Sequence, residues 1–406
     1  MAEPQLNPGH ALKLLQSGEA FFPALIEAID ASTQEVRLET YIFEFDASGA
    51  KVAAALVRAA RRNTAVYLVM DGIGTPSLPE EWRRQFDAAG VRWHRFSPLG
   101  RLGLLIPMRW RRLHRKLCVV DARLAFCGGI NILDDFADPN HGPQHSARLD
   151  FSVQVTGPLV ADAHLAMAQF WGRLQATRQL ERFRWQDARE SLKVCASPTI
   201  CPVWAPPPTT LVSDTGALAA LVLRDNVRNR TRIERAYRKS IADAHHEVLI
   251  ANAYFLPGGK LRRALIHAAR RGVRVRLLLQ GRYEYFMQYH GSRPVLGALL
   301  NAGVEIYEYQ AGFLHAKVAV IDGHWATVGS SNLDPLSLLL AREANVVAED
   351  VPFANALHSR LTDAIDSQGV RLERHVYANR PLGQRALDQL AYGLVRLMLF
   401  LTGRRY

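Results

Sequence analysis

Two stretches, LHRKLCVVD at residues 113–121 and LHAKVAVID at residues 314–322, decide the fold of this chain. Each sets a histidine, a lysine two positions on and an aspartate five positions beyond the lysine: His114, Lys116 and Asp121, then His315, Lys317 and Asp322. With 14 His, 7 Lys and 20 Asp among 406 residues, chance would supply about 0.01 such spacings per chain, so two copies signal a duplication. Alternation along a strand sends residues i and i+2 to one face, so each histidine projects with its lysine. The Val-rich residues that follow each lysine read as buried strand.

The repeat extends outward from the two motifs. EVRLETYIF (35–43) matches EVLIANAYF (247–255), and each leads to a helical pattern ending in Ala-Ala-Arg-Arg, at Ala59 to Arg62 and Ala268 to Arg271. The strands AVYLVMD (65–71) and VRVRLLLQ (273–280) follow, then Ala89-Gly90-Val91 and Ala302-Gly303-Val304. Beyond the motifs come Gly128-Gly129-Ile130-Asn131 and Gly329-Ser330-Ser331-Asn332. Strands alternating with helices predict an α/β fold of two similar domains with mixed sheets, related by a pseudo-twofold axis. The expected boundaries are 1–194 for the first domain, a Pro-rich linker at 195–209 (CASPTICPVWAPPPT), 210–380 for the second domain and a C-terminal amphipathic helix over 381–406.

Composition narrows the partners. A formal charge of +12, from 50 basic and 38 acidic residues, favours an anionic one, either a phospholipid surface or nucleic acid. The 49% hydrophobic content excludes a disordered chain. Four cysteines without a CxxC pair make a disulfide framework unexpected. Neither a signal peptide nor an apolar run long enough to span a bilayer is recognisable, so any membrane contact is expected to be peripheral.

The doubled motif resembles the phospholipase D superfamily, from about residue 35 to 350. The resemblance implies that the two histidines face each other across one site. One imidazole attacks phosphorus to give a phosphohistidine, and the other protonates the leaving alcohol and then activates the acceptor. The candidate catalytic set is therefore His114, Lys116, Asp121, His315, Lys317 and Asp322. Within it the lysines, with Asn131 and Asn332, are expected to bind phosphate, and the aspartates to orient backbone. Symmetry alone leaves the nucleophile open; the resemblance favours His114. An acid is expected to hold each imidazole by its second nitrogen: Glu343, 28 residues after His315, and as its counterpart in the first half Asp150, 36 residues after His114. No metal or cofactor is implied.

Substrate class is read from asymmetry between the halves. Gly303 precedes His315 by 12 residues, whereas Gly90 precedes His114 by 24. The added residues fall in LGRLGLLIPMRWRRLHRKL (99–117), which carries six basic residues and no acid. Leu104, Leu105, Ile106 and Trp110 with flanking arginines suit a membrane interface better than a nucleic-acid groove, which would interleave more stacking aromatics. The C-terminal pattern Leu387, Leu390, Ala391, Leu394, Leu397, Met398 and Leu401 fits either a membrane surface or the protein core.

With ETYIF, NAYF, GGIN and GSSNLD, the chain looks most like the bacterial cardiolipin synthase branch lacking N-terminal transmembrane helices. That resemblance implies a phosphatidyltransferase that makes cardiolipin from two phosphatidylglycerol molecules and releases glycerol. Its expected place is the cytoplasmic face of the bacterial inner membrane, bound peripherally to anionic phospholipid, with no nucleic-acid partner. The alternative is a metal-independent phosphodiesterase of phospholipase or nuclease type.

Overall fold

The computed structural model describes residues 5–100, 107–139, 141–181, 187, 216–225, 229–334 and 341–401. The expected linker at 195–209 and the residues Leu104, Leu105 and Ile106 lie outside them. Among the described residues both halves are α/β, and their strands join in one mixed sheet of 16 strands, of which Arg112–Leu113 lies off the main path. From one edge its order is Arg92–Phe96, Ala65–Asp71, Glu35–Thr40, Lys116–Val120, Leu124–Gly128, Phe151–Thr156 and Asn7–Gln16. The sequence then mirrors itself through Ala217–Arg224, Ala341–Glu349, Trp325–Gly329, Lys317–Ile321, Glu247–Asn252, Arg274–Gln280 and Glu305–Tyr309. Gly369–Arg371 adds an edge strand to the second half. The pseudo-twofold axis passes between the antiparallel strands Asn7–Gln16 and Ala217–Arg224, where His10 faces Ala217.

Alternation explains why the motif strands are apolar on both faces. Leu117 and Val119 join Val318, Val320, Phe151 and Val346 in a core shared by both half-sheets. Cys118 and Val120 point the other way, into a core roofed by helices Ser17–Asp30 and Ala47–Arg61. Ala319 and Ile321 do the same beneath helices Arg232–Asp243, Gly259–Arg270 and Phe286–Asn301. Helices Leu159–Glu181 and Val351–Gln368 share the core between the half-sheets, the other helices named here cover their outer faces, and the site lies where the half-sheets meet.

The C-terminal segment is helical over Leu382–Leu401 and packs on helix Phe286–Asn301. Its apolar pattern splits between two faces. Ala391 and Val395 are buried, and Asp388 is buried against His290 (2.7 Å) and Arg380 (2.8 Å). Leu390, Leu394, Leu397 and Phe400 remain exposed. Among the described residues, no helix is long and apolar enough to cross a membrane.

Candidate active site

Each motif histidine sits just before its strand, on a segment that crosses to the opposite half. Arg112–Leu113 pairs in parallel with Ala341 and Arg342, and the His114 amide donates to the Arg342 carbonyl at 3.0 Å. Leu314 bridges Leu149 in the same way, and the His315 amide donates to the Leu149 carbonyl at 2.9 Å. Each histidine is thereby pinned beside the residue preceding an acid of the other half.

The acids consequently pair crosswise. His114 Nδ1 meets Glu343 at 3.1 Å, and His315 Nδ1 meets Asp150 at 2.6 Å. Sequence reasoning gave each histidine the acid of its own half; strand exchange at the axis reverses that pairing. Glu343 is fully buried, and its carboxylate also accepts from the Ser330 hydroxyl. Asp150 accepts from the Phe151 amide at 2.8 Å. Its carboxylate occupies the space a side chain on Gly129 would need, since a Cβ there would stand 2.2 Å from Oδ1. The Gly-Gly and Gly-Ser versions of the repeat therefore differ for a reason. Gly129 makes room for one acid, and Ser330 donates to the other.

With Nδ1 held by an acid, Nε2 of each ring is left for chemistry. Both rings line one cavity of about 620 Å³ together with Asn131 and Asn332. Asn131 Oδ1 also accepts from the Ile42 amide at 3.2 Å. Lys116 and Lys317 are buried beside the histidines; Lys116 Nζ donates to the His114 carbonyl at 2.9 Å, and Lys317 Nζ donates to that of His315. This dry, cationic setting shifts several groups. Burial, helped by the other lysine, pushes Lys116 down to about 7, and burial against the pull of Asp150 and Glu343 brings Lys317 to about 8. Burial also raises Asp150 to about 7 although Lys317 and Lys116 oppose it. His315 lies well below its ordinary value through burial and both lysines, and His114 is lowered by burial against the opposing pull of Glu343.

Asp121 and Asp322, grouped with the catalytic set in sequence, stand at the far end of their strands. Five residues of extended chain separate each from its lysine, roughly 17 Å. Asp121 accepts from the amides of Thr33, Gln34 and Glu35, at 2.8 to 2.9 Å, and from the Thr33 hydroxyl. Asp322 accepts from those of His245, His246 and Glu247, at 2.7 to 2.8 Å. Both carboxylates tie down the start of the neighbouring strand, so only their backbone-orienting role is compatible with the geometry. Of the residues expected at a membrane, Trp110 is described; it is 39% exposed at the end of the short 3₁₀ turn Pro107–Trp110.

Sequence reasoning missed several wall residues. The Tyr41 ring lies 5.0 Å from that of His114, with the Lys116 ammonium 5.4 Å from its centroid, and burial raises its hydroxyl to about 12. Tyr254 donates to Glu284 at 2.8 Å across the cavity. Both tyrosines fall inside the quoted ETYIF and NAYF elements, one residue out of register, so the repeat comparison hid them. Asp138, His141 and Glu284 bring ligating atoms within 4.8 Å of one another at the rim. Protein groups already engage them: His141 and Arg148 on Asp138, at 3.0 and 3.1 Å, and Tyr254 on Glu284.

Comparison with known proteins follows the same lines. The family model described as cardiolipin synthase, PLD-like domain, matches residues 25–141 and 237–364, which contain both motifs. Cardiolipin synthase B of Salmonella typhi is 37% identical over 396 residues, 97% of this chain and 90% of the relative. The protein of that name from Escherichia coli strain K12 is 36% identical with the same coverage. Cardiolipin synthase A of Pseudomonas putida strain GB-1 is 29% identical over 95% of this chain and 74% of its own. Among solved structures, phosphatidylserine synthase of Haemophilus influenzae superposes with a TM-score of 0.67 over 97% of this chain and 95% of its own, at 12% identity, a likeness of fold.

Proposed function

This chain belongs to the family of cardiolipin synthases with a phospholipase D-like domain, and on that premise we propose that it is a phosphatidyltransferase using phosphatidylglycerol as both donor and acceptor. The observation that carries the reading is the pair of imidazoles opening into one cavity, each held at Nδ1 by a buried acid of the opposite half.

Two half-reactions are proposed for that pair, with the nucleophile taken from the resemblance. His114 Nε2, kept in its free-base form by burial, attacks the donor phosphorus. As the P–N bond forms, the bond from phosphorus to the glycerol headgroup breaks, and the proton that His315 and Asp150 hold between them passes from His315 Nε2 to the departing oxygen. Glycerol leaves, and His315, now neutral, takes the proton from a hydroxyl of a second phosphatidylglycerol. That oxygen attacks phosphorus, the P–N bond breaks, and cardiolipin forms with His114 restored. Lys116, Lys317, Asn131 and Asn332 are the groups proposed to hold the equatorial oxygens, where charge builds up. Asp150 and Glu343 act through the rings, fixing tautomer and direction. Trp110 and the basic segment around it are proposed to rest on anionic lipid at the cytoplasmic face of the inner membrane.

The decisive assay offers labelled phosphatidylglycerol in detergent micelles and single-stranded DNA to the purified protein, with EDTA present. Cardiolipin and glycerol are expected in equal amounts, with the DNA intact. DNA cleavage without lipid transfer, or activity that EDTA abolishes and a divalent ion restores, overturns the reading.

The shifted groups also set the pH dependence. The Asp150–His315 pair needs its proton for the first step, and Asp150 near 7 means that the pair loses it as pH rises through that region. Lys116, at about 7, loses its charge over the same range, and Lys317, at about 8, follows. All three losses act in one direction. Thus kcat/KM is expected to be highest at mildly acidic to neutral pH and to fall above about 7 with a slope steeper than tenfold per unit. A profile still rising between pH 7 and 9 contradicts this.

A further inference from the structure

Asp71 and Gln280 occupy the same place in the two halves. Ala65 stands opposite Glu35 and Arg274 opposite Glu247 in the parallel strand pairs, and six residues further on the two strands end at Asp71 and Gln280. Each reaches the amide of the residue before a motif histidine, yet the grips differ. Asp71 is fully buried, and its Oδ2 accepts from the Leu113 amide at 2.7 Å. Its Oδ1 accepts from the Ile73 amide at 2.8 Å, the Gly74 amide at 3.3 Å and the Arg112 guanidinium at 3.0 Å. In the second half Gln280 Oε1 stands 3.5 Å from the Leu314 amide, and Phe313 takes the place of Arg112. Arg112 donates as well to the carbonyls of Ser97 (3.1 Å), Trp110 (3.1 Å) and Arg109, which ties those residues to Asp71.

We propose that Asp71, paired with Arg112, is a positioning residue that fixes His114 for its attack on phosphorus; the role deepens the phosphatidyltransferase reading and rests on it. Successive amides of the segment carrying His114 are taken by different partners, that of Leu113 by Asp71 and that of His114 by the Arg342 carbonyl. The backbone before the ring is therefore held from both halves. Asp71 is not part of the wall of the cavity into which the rings open, so it acts through this backbone and not on substrate. A buried carboxylate satisfied by three amides and a guanidinium gives a short, charge-assisted hold, which the single long contact of Gln280 does not match. The stronger hold thus falls on the histidine proposed to form the P–N bond. In-line attack needs the nitrogen close to phosphorus and aligned with the departing oxygen, and a small displacement of the segment is enough to slow it.

Asp71→Asn tests the proposal, because the amide offers one oxygen and one donor nitrogen. With the oxygen kept by Ile73, Gly74 and Arg112, its NH2 group faces the Leu113 N–H, donor against donor. The probe is phosphatidyl-p-nitrophenol, whose leaving group needs no proton, so its first-turnover burst reads attack by His114 alone. The burst is expected to slow about 10- to 100-fold, while the substrate concentration giving half the maximal burst rate stays within about twofold of the parent protein. Nitrogen-15 spectra of histidine-labelled protein add a signature that general loosening would not give: the His114 ring signals move and those of His315 keep their positions, each assigned by its loss in the matching alanine variant. Should the single variant unfold, Asp71→Asn with Arg112→Gln, relieved of the cation that Asp71 neutralises, carries the same two measurements. A burst at the parent rate, or equal displacement of both rings, overturns the proposal. A parent protein without a burst removes the attack that Asp71 serves. A parent protein that gives the burst and forms no cardiolipin leaves the positioning role standing and sinks the phosphatidyltransferase reading instead.

Discussion

His114→Ala is expected to lower phosphatidyl transfer by at least about 10³-fold and to abolish the covalent adduct, because the attacking nitrogen is removed. His315→Ala should lose comparable turnover on phosphatidylglycerol yet still trap some phosphatidyl-enzyme. Attack on phosphorus continues weakly without the group that protonates the leaving oxygen. The measurement is incubation with lipid labelled at phosphorus, quenched in alkaline denaturant, followed by peptide mapping of base-stable, acid-labile label. Label on His114 in the His315→Ala protein supports the assignment. Label on His315 in the His114→Ala protein exchanges the two roles, and no label in either variant removes the covalent mechanism. Thermal unfolding serves as the control, since both rings lie over a shared core whose packing the alanines leave intact.

The duplication made most of the fold legible. Two matched runs of strand, helix, strand and motif dictate two similar sheets, and the structure joins them about an axis between strands Asn7–Gln16 and Ala217–Arg224. Local pattern carried less of the site. His114, Lys116, His315 and Lys317 stand out because their spacing is fixed by one strand, and spacing along one strand is what sequence records best. The partnership between acids and histidines is set by two parallel bridges across the axis, Leu113 with Arg342 and Leu149 with Leu314, and no local pattern announces contacts 165 and 229 residues apart. Asp121 and Asp322 stand where a backbone-orienting duty was expected of them. They share the motif's spacing but cap neighbouring strands, a structural duty repeated as faithfully as a chemical one. The C-terminal helix shows a second limit: an apolar pattern wider than one face does not say which part meets protein, and buried Asp388 settled the docked face through partners outside the helix, His290 and Arg380.

The crosswise arrangement has a consequence that separates it from the within-half pairing. Glu343→Gln should weaken His114, and Asp150→Asn should weaken His315, each by about 10²- to 10⁴-fold on phosphatidylglycerol, the range in which loss of an imidazole's carboxylate partner falls. Both acids position a ring and touch no substrate, so the size of the loss does not identify which ring suffers. Leaving-group dependence does. Phosphatidyl-p-nitrophenol departs as a stable anion, with a pKa of about 7, and needs no proton from the enzyme. Asp150→Asn is therefore expected to release p-nitrophenol in a first-turnover burst at close to the parent rate, because that step no longer needs the leaving-group acid, while transfer to the acceptor, in which His315 is the base, stays slow. Glu343→Gln should stay slow, because attack on phosphorus is impaired whatever departs. Adduct formation should follow the same division, persisting in Asp150→Asn and failing in Glu343→Gln. The reverse outcome, rescue of Glu343→Gln alone, means either that each acid serves the histidine of its own half or that His315 is the nucleophile. Label mapping in the Glu343→Gln protein distinguishes these, since only the second places the phosphatidyl group on His315.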